Sequence, residues 1–433
     1  MTYSQKNFIY RFIKLFISMG FSFSFRNIIT TGYKKVKKDK PAIFVANHQN
    51  TFMDGVLMVY TGGQSNPNIL VRADIFKSKM TYNLLSAIKL MPIYRRRDGV
   101  NTVSENEQIF EQCYEIFDHK GVVALFPEGN HAFPRRLRAV QKGAARIAFQ
   151  AEERKDFDLN LSLIPVGLHY ENHTEKWHDV HIHYGDATLI KDYKSVYEES
   201  PQKAFKQTSD IIREGISSEM IDIKWGEEIE LFEQIRALLK PEFKEQAKYD
   251  KSLVHTENNA IAKITSVLQE NETEKAEIKE DVNTLFSEYK KAGINTYYNV
   301  SKPNLFRLLY QSVLLVLLAP IFAVFKLITA IPEFIIESLV IKKVKDITWH
   351  LSLRFSIAAF LYPIFFALVW LILRLTIGAL ESSIIVFTFP LIGVIGLETN
   401  YIFRNVQNGW KLMKRPQLAS RRKALAKRLL GML

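Results

Sequence analysis

A histidine and an aspartate follow a short apolar run near the start of the chain. The run Ala42 to Ala46 predicts a β-strand, His48 comes just after it, and Asp54 follows within two helical turns. Side chains that leave the carboxyl end of a parallel strand lie where open α/β sheets build their sites. If Asp54 accepts a hydrogen bond from one imidazole nitrogen, the other nitrogen can take a proton from a substrate hydroxyl. The pair therefore predicts a general base, although an isolated pair of this kind is more typical of helix capping.

A cationic cluster follows a later candidate strand. Met91 to Tyr94 leads directly into Arg95, Arg96 and Arg97. Guanidinium groups bind phosphate through two parallel hydrogen bonds, so we expect Arg95 and Arg97 to hold a phosphate. Alone, the cluster could be a solvated basic turn.

A carboxylate beside a glycine follows a third candidate strand, Val122 to Phe126. Glu128 and Gly129 come directly after it, and Lys142 lies among the basic residues behind them. Such a carboxylate can hold a polyol hydroxyl while the glycine lets the backbone approach closely. We expect Glu128, Gly129 and Lys142 to contact a substrate, although Glu128 alone would be an ordinary carboxylate at a helix start.

Four stretches taken together resemble the four sequence blocks of the glycerol-phosphate and lysophospholipid acyltransferase family. In chain order they are Asn47-His48 with Asp54, Pro92-Ile93-Tyr94-Arg95, Phe126-Pro127-Glu128-Gly129 and Ile164-Pro165-Val166-Gly167. The conjunction is far more specific than any single block, and it covers residues 40 to 190. The resemblance implies the glycerolipid acyltransferase fold and a general base at His48 that is oriented by Asp54. It also implies that Arg95, Glu128 and Gly129 hold the glycerol phosphate.

Two departures from the family pattern leave the acceptor open. Five residues separate His48 from Asp54, where the family usually has four, and Asn130 follows Gly129 where the family usually has threonine. Both features are similar to the branch that contains the fungal glycerol-3-phosphate and dihydroxyacetone-phosphate acyltransferases. Glycerol 3-phosphate, dihydroxyacetone phosphate and lysophosphatidate therefore all stay candidates.

The resemblance implies an O-acyltransferase of phospholipid biosynthesis. It would move a fatty acyl group from acyl-CoA or acyl carrier protein to a hydroxyl of glycerol 3-phosphate or 1-acylglycerol 3-phosphate. We expect no metal and no cofactor beyond the acyl donor, which is a substrate. The alternatives are an acyltransferase for another lysophospholipid or an amino-lipid, and a catalytically inactive membrane scaffold that only binds lipid.

The sequence lacks the signature motifs of the other enzyme classes that we considered. A serine hydrolase would need a Gly-x-Ser-x-Gly nucleophile elbow, and the chain has none. A metal hydrolase could use the several histidines, but they form no known ligand pattern, and we interpret His181 and His183 as an exposed pair on a strand. Cys113 has no partner for a disulfide, so we interpret it as a small helix-packing residue in a reducing compartment.

Strands that alternate with helical stretches predict an α/β domain over residues 41 to 200, with a mostly parallel sheet flanked by helices. The predicted strands are Ala42 to Ala46, Ile69 to Arg72, Met91 to Tyr94, Val122 to Phe126, Leu161 to Leu168 and Val180 to Tyr184. Residues 201 to 300 are rich in Glu and Lys with apolar residues at helical spacing. We expect them to form two to four solvated helices beside the sheet.

The two ends of the chain predict contact with a membrane. Residues 1 to 40 contain an amphipathic stretch, 7 to 30, which we expect to lie in one leaflet. Residues 301 to 410 contain three apolar segments long enough to cross or enter a bilayer: Leu305 to Ala330, Ile357 to Leu380 and Ile384 to Leu397. We expect the last two to form a hairpin joined by Glu381 to Ser383. Because basic residues flank both ends of the first segment, we expect it to reverse at Pro320 as a re-entrant or interfacial hairpin.

Charge and targeting signals suggest the compartment. The net charge of +13 suits an anionic membrane surface, and the apolar segments favour the membrane over nucleic acid as the partner. The tail, residues 411 to 433, is basic and suits an anionic leaflet or a solvated end. Basic residues interrupt the apolar N-terminus, which therefore does not read as a cleaved signal. We expect an integral membrane protein with its catalytic domain on the cytoplasmic face.

Overall fold

A computed structural model describes residues 3–37, 39–94, 102–224, 226–250, 252–298, 300–301 and 303–433. The chain divides into two compact units. Unit 1 comprises Met1–Phe21, Ile28–Tyr170 and Val180–Asp222, and unit 2 comprises Ser22–Asn27, Glu171–Asp179 and Ile223–Leu433.

The sheet is mostly parallel, as the sequence predicts. Its strands are β1 Phe25–Thr31, β2 Ala42–Ala46, β3 Asn68–Arg72, β4 Leu90–Ile93, β5 Val122–Leu125, β6 Ser162–Tyr170, β7 His178–Tyr184 and β8 Thr188–Leu189. Their order is β1-β7-β6-β2-β5-β3-β4, and β8 also pairs with β6. β2 runs parallel to β5 and β6, and β3 runs parallel to β4 and β5, whereas β7 and β8 are antiparallel to β6. The carboxyl ends of β2, β5 and β6 therefore meet at one edge, where His48 and Glu128 lie.

Helices separate the strands, and the apolar core of unit 1 lies between helices and sheet. The helices are α1 Tyr3–Ser24, α2 Thr51–Thr61, α3 Lys79–Ala87, α4 Thr102–Asp118, α5 Gly143–Glu153, α6 Lys194–Glu199 and α7 Pro201–Glu219. Every residue of β2 is buried, which is why its sequence is a continuous apolar run rather than an alternating one. Cys113 is fully buried in this core, and burial raises the pKa of its thiol to about 12. The thiol is thus an inert packing group, as predicted.

Two predictions about the outer part of the sheet are wrong. The predicted N-terminal helix ends at Ser24, and the next residues form strand β1, whose β-branched run from Ile28 to Thr31 favours a strand. Because β1 lies beside β7, His181 and His183 are buried rather than exposed. The His183 Nδ1 atom is hydrogen bonded to the Thr31 hydroxyl at 2.6 Å.

Unit 2 contains seven helices within the residues that the structure describes. They are α8 Ile229–Asp250, α9 Leu253–Glu270, α10 Glu272–Ala292, α11 Leu305–Lys343, α12 His350–Ile377, α13 Ala379–Met413 and α14 Pro416–Leu430. The predicted basic tail is largely α14, which packs against α8 and α10. Its Arg422 is buried and bonds to Glu242 and to the Leu238 carbonyl, while Arg421 pairs with Glu288. These cations are therefore occupied by protein partners.

Three helices of unit 2 are long and apolar enough to cross a membrane, as expected of an integral membrane protein. The spans are Leu305–Lys343, Ile347–Ile377 and Ala379–Met413. Large apolar side chains point outward from them; Phe306 and Phe387 are each 84% exposed and Leu375 is 80% exposed. Exposed apolar side chains on helices of this length are typical of a membrane-embedded region.

The reversal expected at Pro320 is absent, since α11 continues through both Pro320 and Pro332. A proline removes one helical hydrogen bond, but a long apolar helix that packs along a neighbour continues through it. Here the neighbour is α13, whose Gly396 lies directly against the Phe325 ring. The break between α12 and α13 falls at Gly378, whose φ of 97° suits glycine, so Glu381 to Ser383 belong to α13 rather than to the turn.

Candidate active site

His48 is carried at the carboxyl end of the central strand β2. The residue before it, Asn47, is fully buried and bonded twice to the neighbouring strand β6. Its amide nitrogen donates to the Leu168 carbonyl at 2.9 Å, and its amide oxygen accepts from the Leu168 N–H at 2.7 Å. This double hydrogen bond fixes the backbone from which His48 projects.

The Asp54 carboxylate, fully buried in the first turn of α2, binds the His48 ring. Its Oδ2 atom lies 2.8 Å from Nδ1 of His48 and accepts the N–H groups of Gln49 and Asn50, each also at 2.8 Å. Because an ionised carboxylate can only accept, the proton of a neutral His48 ring belongs on Nδ1. Nε2 then has a free lone pair, which is the state that a general base requires.

Tyr170 completes the surroundings of Asp54. Its hydroxyl donates to Oδ1 of Asp54 at 2.5 Å, so both carboxylate oxygens are engaged. Burial and the neighbouring Asp54 charge raise the pKa of Tyr170 well above its ordinary value, and the phenol therefore stays a donor. The sequence interpretation missed Tyr170. Its position at the carboxyl end of β6, beside β2, would have identified it only once the strand order was known.

The turn between His48 and Asp54 contains a strained residue. Thr51 has φ of 36°, which is unusual for a β-branched side chain and costs conformational energy. It begins α2, just after the two N–H groups that bind Asp54. The five-residue spacing noted in the sequence is thus accommodated by a tight turn around the carboxylate.

Glu128 supports His48 from the loop that follows the adjacent strand β5. Its Oε1 accepts the backbone N–H of His48 at 2.7 Å, and its Oε2 accepts the Arg138 side chain at 2.9 Å and the Arg138 backbone N–H at 3.2 Å. The next residue, Gly129, makes the turn with φ of 68°. Both oxygens of Glu128 already have protein partners, so this carboxylate holds the loop together; its predicted contact with a substrate stays a prediction.

Two aromatic rings enclose His48. Phe126 stacks on the imidazole at a centroid distance of 4.3 Å and an interplanar angle of 18°, and His131 meets it edge-on at 5.6 Å. The His48 side chain remains 14% exposed. The ring is therefore held in one orientation and still open to a ligand.

Arg138 is a cation that the sequence interpretation undervalued. Besides Glu128 it binds the His131 carbonyl through Nη1 at 3.3 Å. Its Nη2 atom is buried and makes no hydrogen bond within the described residues. The Arg138 side chain as a whole is 32% exposed beside the His48 loop.

Within the described residues, the structure brings none of the other predicted cations into hydrogen-bond contact with His48. Lys142 is exposed, directly before α5, and makes no side-chain hydrogen bond or ion pair to any residue that the structure describes. Arg95 and Arg97 lie outside the described residues. The strand that leads to them, β4, is the third strand from β2, roughly 14 Å away at ordinary strand spacing.

The α/β domain thus holds a hydrogen-bonded histidine–aspartate pair at the carboxyl end of its central strand β2. The Acyltransferase family model matches residues 27–169. Residues 27–169, about a third of the chain, are therefore similar to acyltransferase domains.

One curated relative and one solved structure are similar to parts of the chain. Glycerol-3-phosphate O-acyltransferase 2 of Saccharomyces cerevisiae is 26% identical over 100 residues, which are 23% of this chain and 13% of the yeast protein. The 1-acyl-sn-glycerophosphate (LPA) acyltransferase PlsC from Thermotoga maritima is 16% identical, with a TM-score of 0.36, over 49% of this chain and 79% of the PlsC chain.

Proposed function

We propose that this chain transfers a fatty acyl group from acyl-CoA or acyl carrier protein to a hydroxyl of glycerol 3-phosphate or 1-acylglycerol 3-phosphate. The observation that carries the proposal is the 2.8 Å contact between His48 Nδ1 and Asp54 at the carboxyl end of β2, inside an acyltransferase domain. The yeast relative, named for acyl transfer to glycerol 3-phosphate, supports the choice of acceptor class.

The proposed chemistry is a direct transfer. His48 Nε2 takes the acceptor hydroxyl proton while the oxygen attacks the thioester carbon, which gives a tetrahedral intermediate. Collapse of the intermediate forms the ester and expels the thiolate, which receives the proton from the imidazolium. Asp54 stabilises the imidazolium during this exchange, since its buried carboxylate bonds to Nδ1.

We assign acceptor binding to Arg138, together with the predicted contributions of Arg95, Arg97 and Lys142. Arg138→Gln is expected to raise the KM for the phosphorylated acceptor by about 10- to 100-fold, because a hydrogen bond to a charged group is lost. The KM for the thioester should stay within twofold. Steady-state kinetics with each substrate varied in turn measures both values.

Arg136→Gln is the matched control for Arg138, since Arg136 is exposed on the same segment. It should leave both constants unchanged. An Arg138→Gln variant that loses affinity for the thioester alone would contradict the assignment.

We assign Tyr170 a positioning role through Asp54. Tyr170→Phe keeps the buried ring and removes the donor to Oδ1, so we expect kcat to fall about tenfold with little change in KM. In an Asp54→Asn background the same substitution should have almost no further effect, because its route to His48 is already broken. Equal losses in both backgrounds would show that Tyr170 acts on folding rather than on the His48 pair.

The acceptor is decided by one side-by-side assay. Purified full-length protein in lipid receives a labelled palmitoyl or oleoyl thioester with glycerol 3-phosphate, dihydroxyacetone phosphate or lysophosphatidate. We expect one acceptor to give a labelled ester with matching thiol release. If lipid binds but the thioester releases no thiol with any acceptor, the alternative of an inactive lipid-binding scaffold would be supported instead.

The proposal also includes the role of the membrane and the side of the membrane on which the catalytic domain lies. The bilayer would deliver a lipid acceptor and receive the product, with the catalytic domain on the cytoplasmic face. Protease treatment of sealed cells and of inverted vesicles tests the orientation. Cleavage of the acyltransferase domain only in inverted vesicles is the expected result, and cleavage in intact cells would contradict it.

A further inference from the structure

An apolar groove lies between α11 and α13, which are both part of unit 2. Its volume is about 580 Å³, and its walls are mainly apolar, with Ala319 and Phe322 on α11 and Phe403 and Val406 on α13. This groove belongs to neither the His48 site nor unit 1. An apolar ligand in the groove would restore the packing contacts that its unfilled walls lack.

The groove opens toward surface that only hydrocarbon can cover. Val316, on its rim, is 73% exposed, and the adjacent Leu317 is 70% exposed. Both lie within a candidate membrane span. An acyl chain is therefore the natural filling for the apolar part of the groove.

One end of the groove is cationic. Lys411 and Lys414 line it, and neither forms an ion pair within the part of the chain that the structure describes. Lys411 donates one hydrogen bond to the Gly293 carbonyl, which leaves two of its three ammonium donors for a ligand. Trp410 donates to the Ser312 hydroxyl at 3.1 Å, and a tryptophan beside lysines is typical of the membrane–water interface.

The lining side chains follow one stripe of α13. Phe403, Gln407, Lys411 and Lys414 recur at helical spacing, so an apolar group, an amide and two cations succeed one another along the groove. The Gln407 amide makes no hydrogen bond to any described residue and is free to donate to an ester carbonyl. Tail, ester and phosphate follow one another in the same order in a glycerophospholipid.

We propose that this groove binds one anionic glycerophospholipid. Its acyl chain lies between α11 and α13, an ester carbonyl accepts from Gln407, and its phosphate lies against Lys414 and Lys411. All residues that line the groove belong to unit 2, and none of them is assigned a role in acyl transfer.

The test is lipid retention by the full-length protein, measured by native mass spectrometry after extraction from mixed phosphatidylglycerol and phosphatidylcholine with the same acyl chains. Wild type should prefer phosphatidylglycerol, and each of Lys411→Gln and Lys414→Gln should lower that preference about fivefold. Lys343→Gln, at the other end of α11, is the matched control and should leave it unchanged. His48→Ala should also retain the preference, so the outcome does not depend on acyl transfer.

A second variant tests the apolar part of the groove. Ala319→Trp fills the cavity and should reduce retention of both lipids, while added inorganic phosphate should displace neither. The proposal is overturned by equal retention of the two lipids, by an unchanged preference in Lys411→Gln/Lys414→Gln, or by a lipid-free dimer in which a second copy covers the groove.

Discussion

Replacing His48 with alanine is expected to lower the rate of acyl transfer by about 10² to 10⁴, the usual contribution of a positioned general base. Without the imidazole, the acceptor hydroxyl must attack with its proton in place, and the departing thiolate has no proton donor. Binding of the thioester and of the acceptor phosphate should persist, because other groups make those contacts. Turnover of a labelled thioester by purified variants in lipid measures the change.

The control for His48 is His119→Ala, which removes an exposed imidazole just after α4; among the described residues it bonds only to the Glu115 carbonyl. It should transfer acyl groups at the wild-type rate. His48→Ala protein that inserts, folds and turns over at the wild-type rate would end the assignment of His48 as the base.

Asp54→Asn is expected to lower kcat by about 10² or more, by analogy with the orienting carboxylate of a catalytic triad. Asparagine has the same shape, and its carbonyl oxygen can still accept from the imidazole and from the Gln49 and Asn50 N–H groups. Its NH₂ group would face Tyr170, whose hydroxyl can turn to accept. The fold should therefore persist while the imidazolium loses its counter-charge.

Asp158→Asn is the control for this substitution, since Asp158 is exposed and far along the chain from the His48 turn. Thermal unfolding of the two variants should match that of wild type. Full activity of Asp54→Asn would mean that the charge of Asp54 has no part in the reaction. A large loss of stability would mean that its role is to hold the turn.

The sequence predicted the His48 pair because the signal is local. A buried strand must be apolar throughout, so the apolar run from Ala42 to Ala46 predicts a strand. The polar residues that follow it predict a site. Asp54 is close enough in the chain for a single turn to bring it to the ring. Both facts are independent of how the other strands are arranged.

The partners from distant parts of the chain were not predictable in the same way. Tyr170 lies 116 residues from Asp54, and it meets the carboxylate only because β6 pairs with β2. Strand order is not encoded in local hydrophobic patterns. The burial of His181 and His183 was missed for a related reason, since it depends on β1 covering β7.

The membrane region shows the limit of local helix-breaking signals. Pro320 and Pro332 lie inside α11, whereas the true break is at Gly378. A proline costs one hydrogen bond, which packing along α13 can outweigh, but a left-handed φ is adopted readily only by glycine. The re-entrant turn was predicted from the flanking charges. The prediction failed because such charges carry no information on how α11 packs against α13.

The central claim, direct transfer by an imidazole base without an acyl-enzyme, is tested by thiol release before and after the acceptor is added. Full-length protein is mixed with excess labelled thioester, then with acceptor, and both free thiol and protein-bound label are followed by rapid quenching. We expect no burst of thiol before the acceptor is added, no covalently labelled protein at any time, and one thiol released for each ester formed after the acceptor is added. A stoichiometric burst of thiol with label attached to the protein would contradict the account.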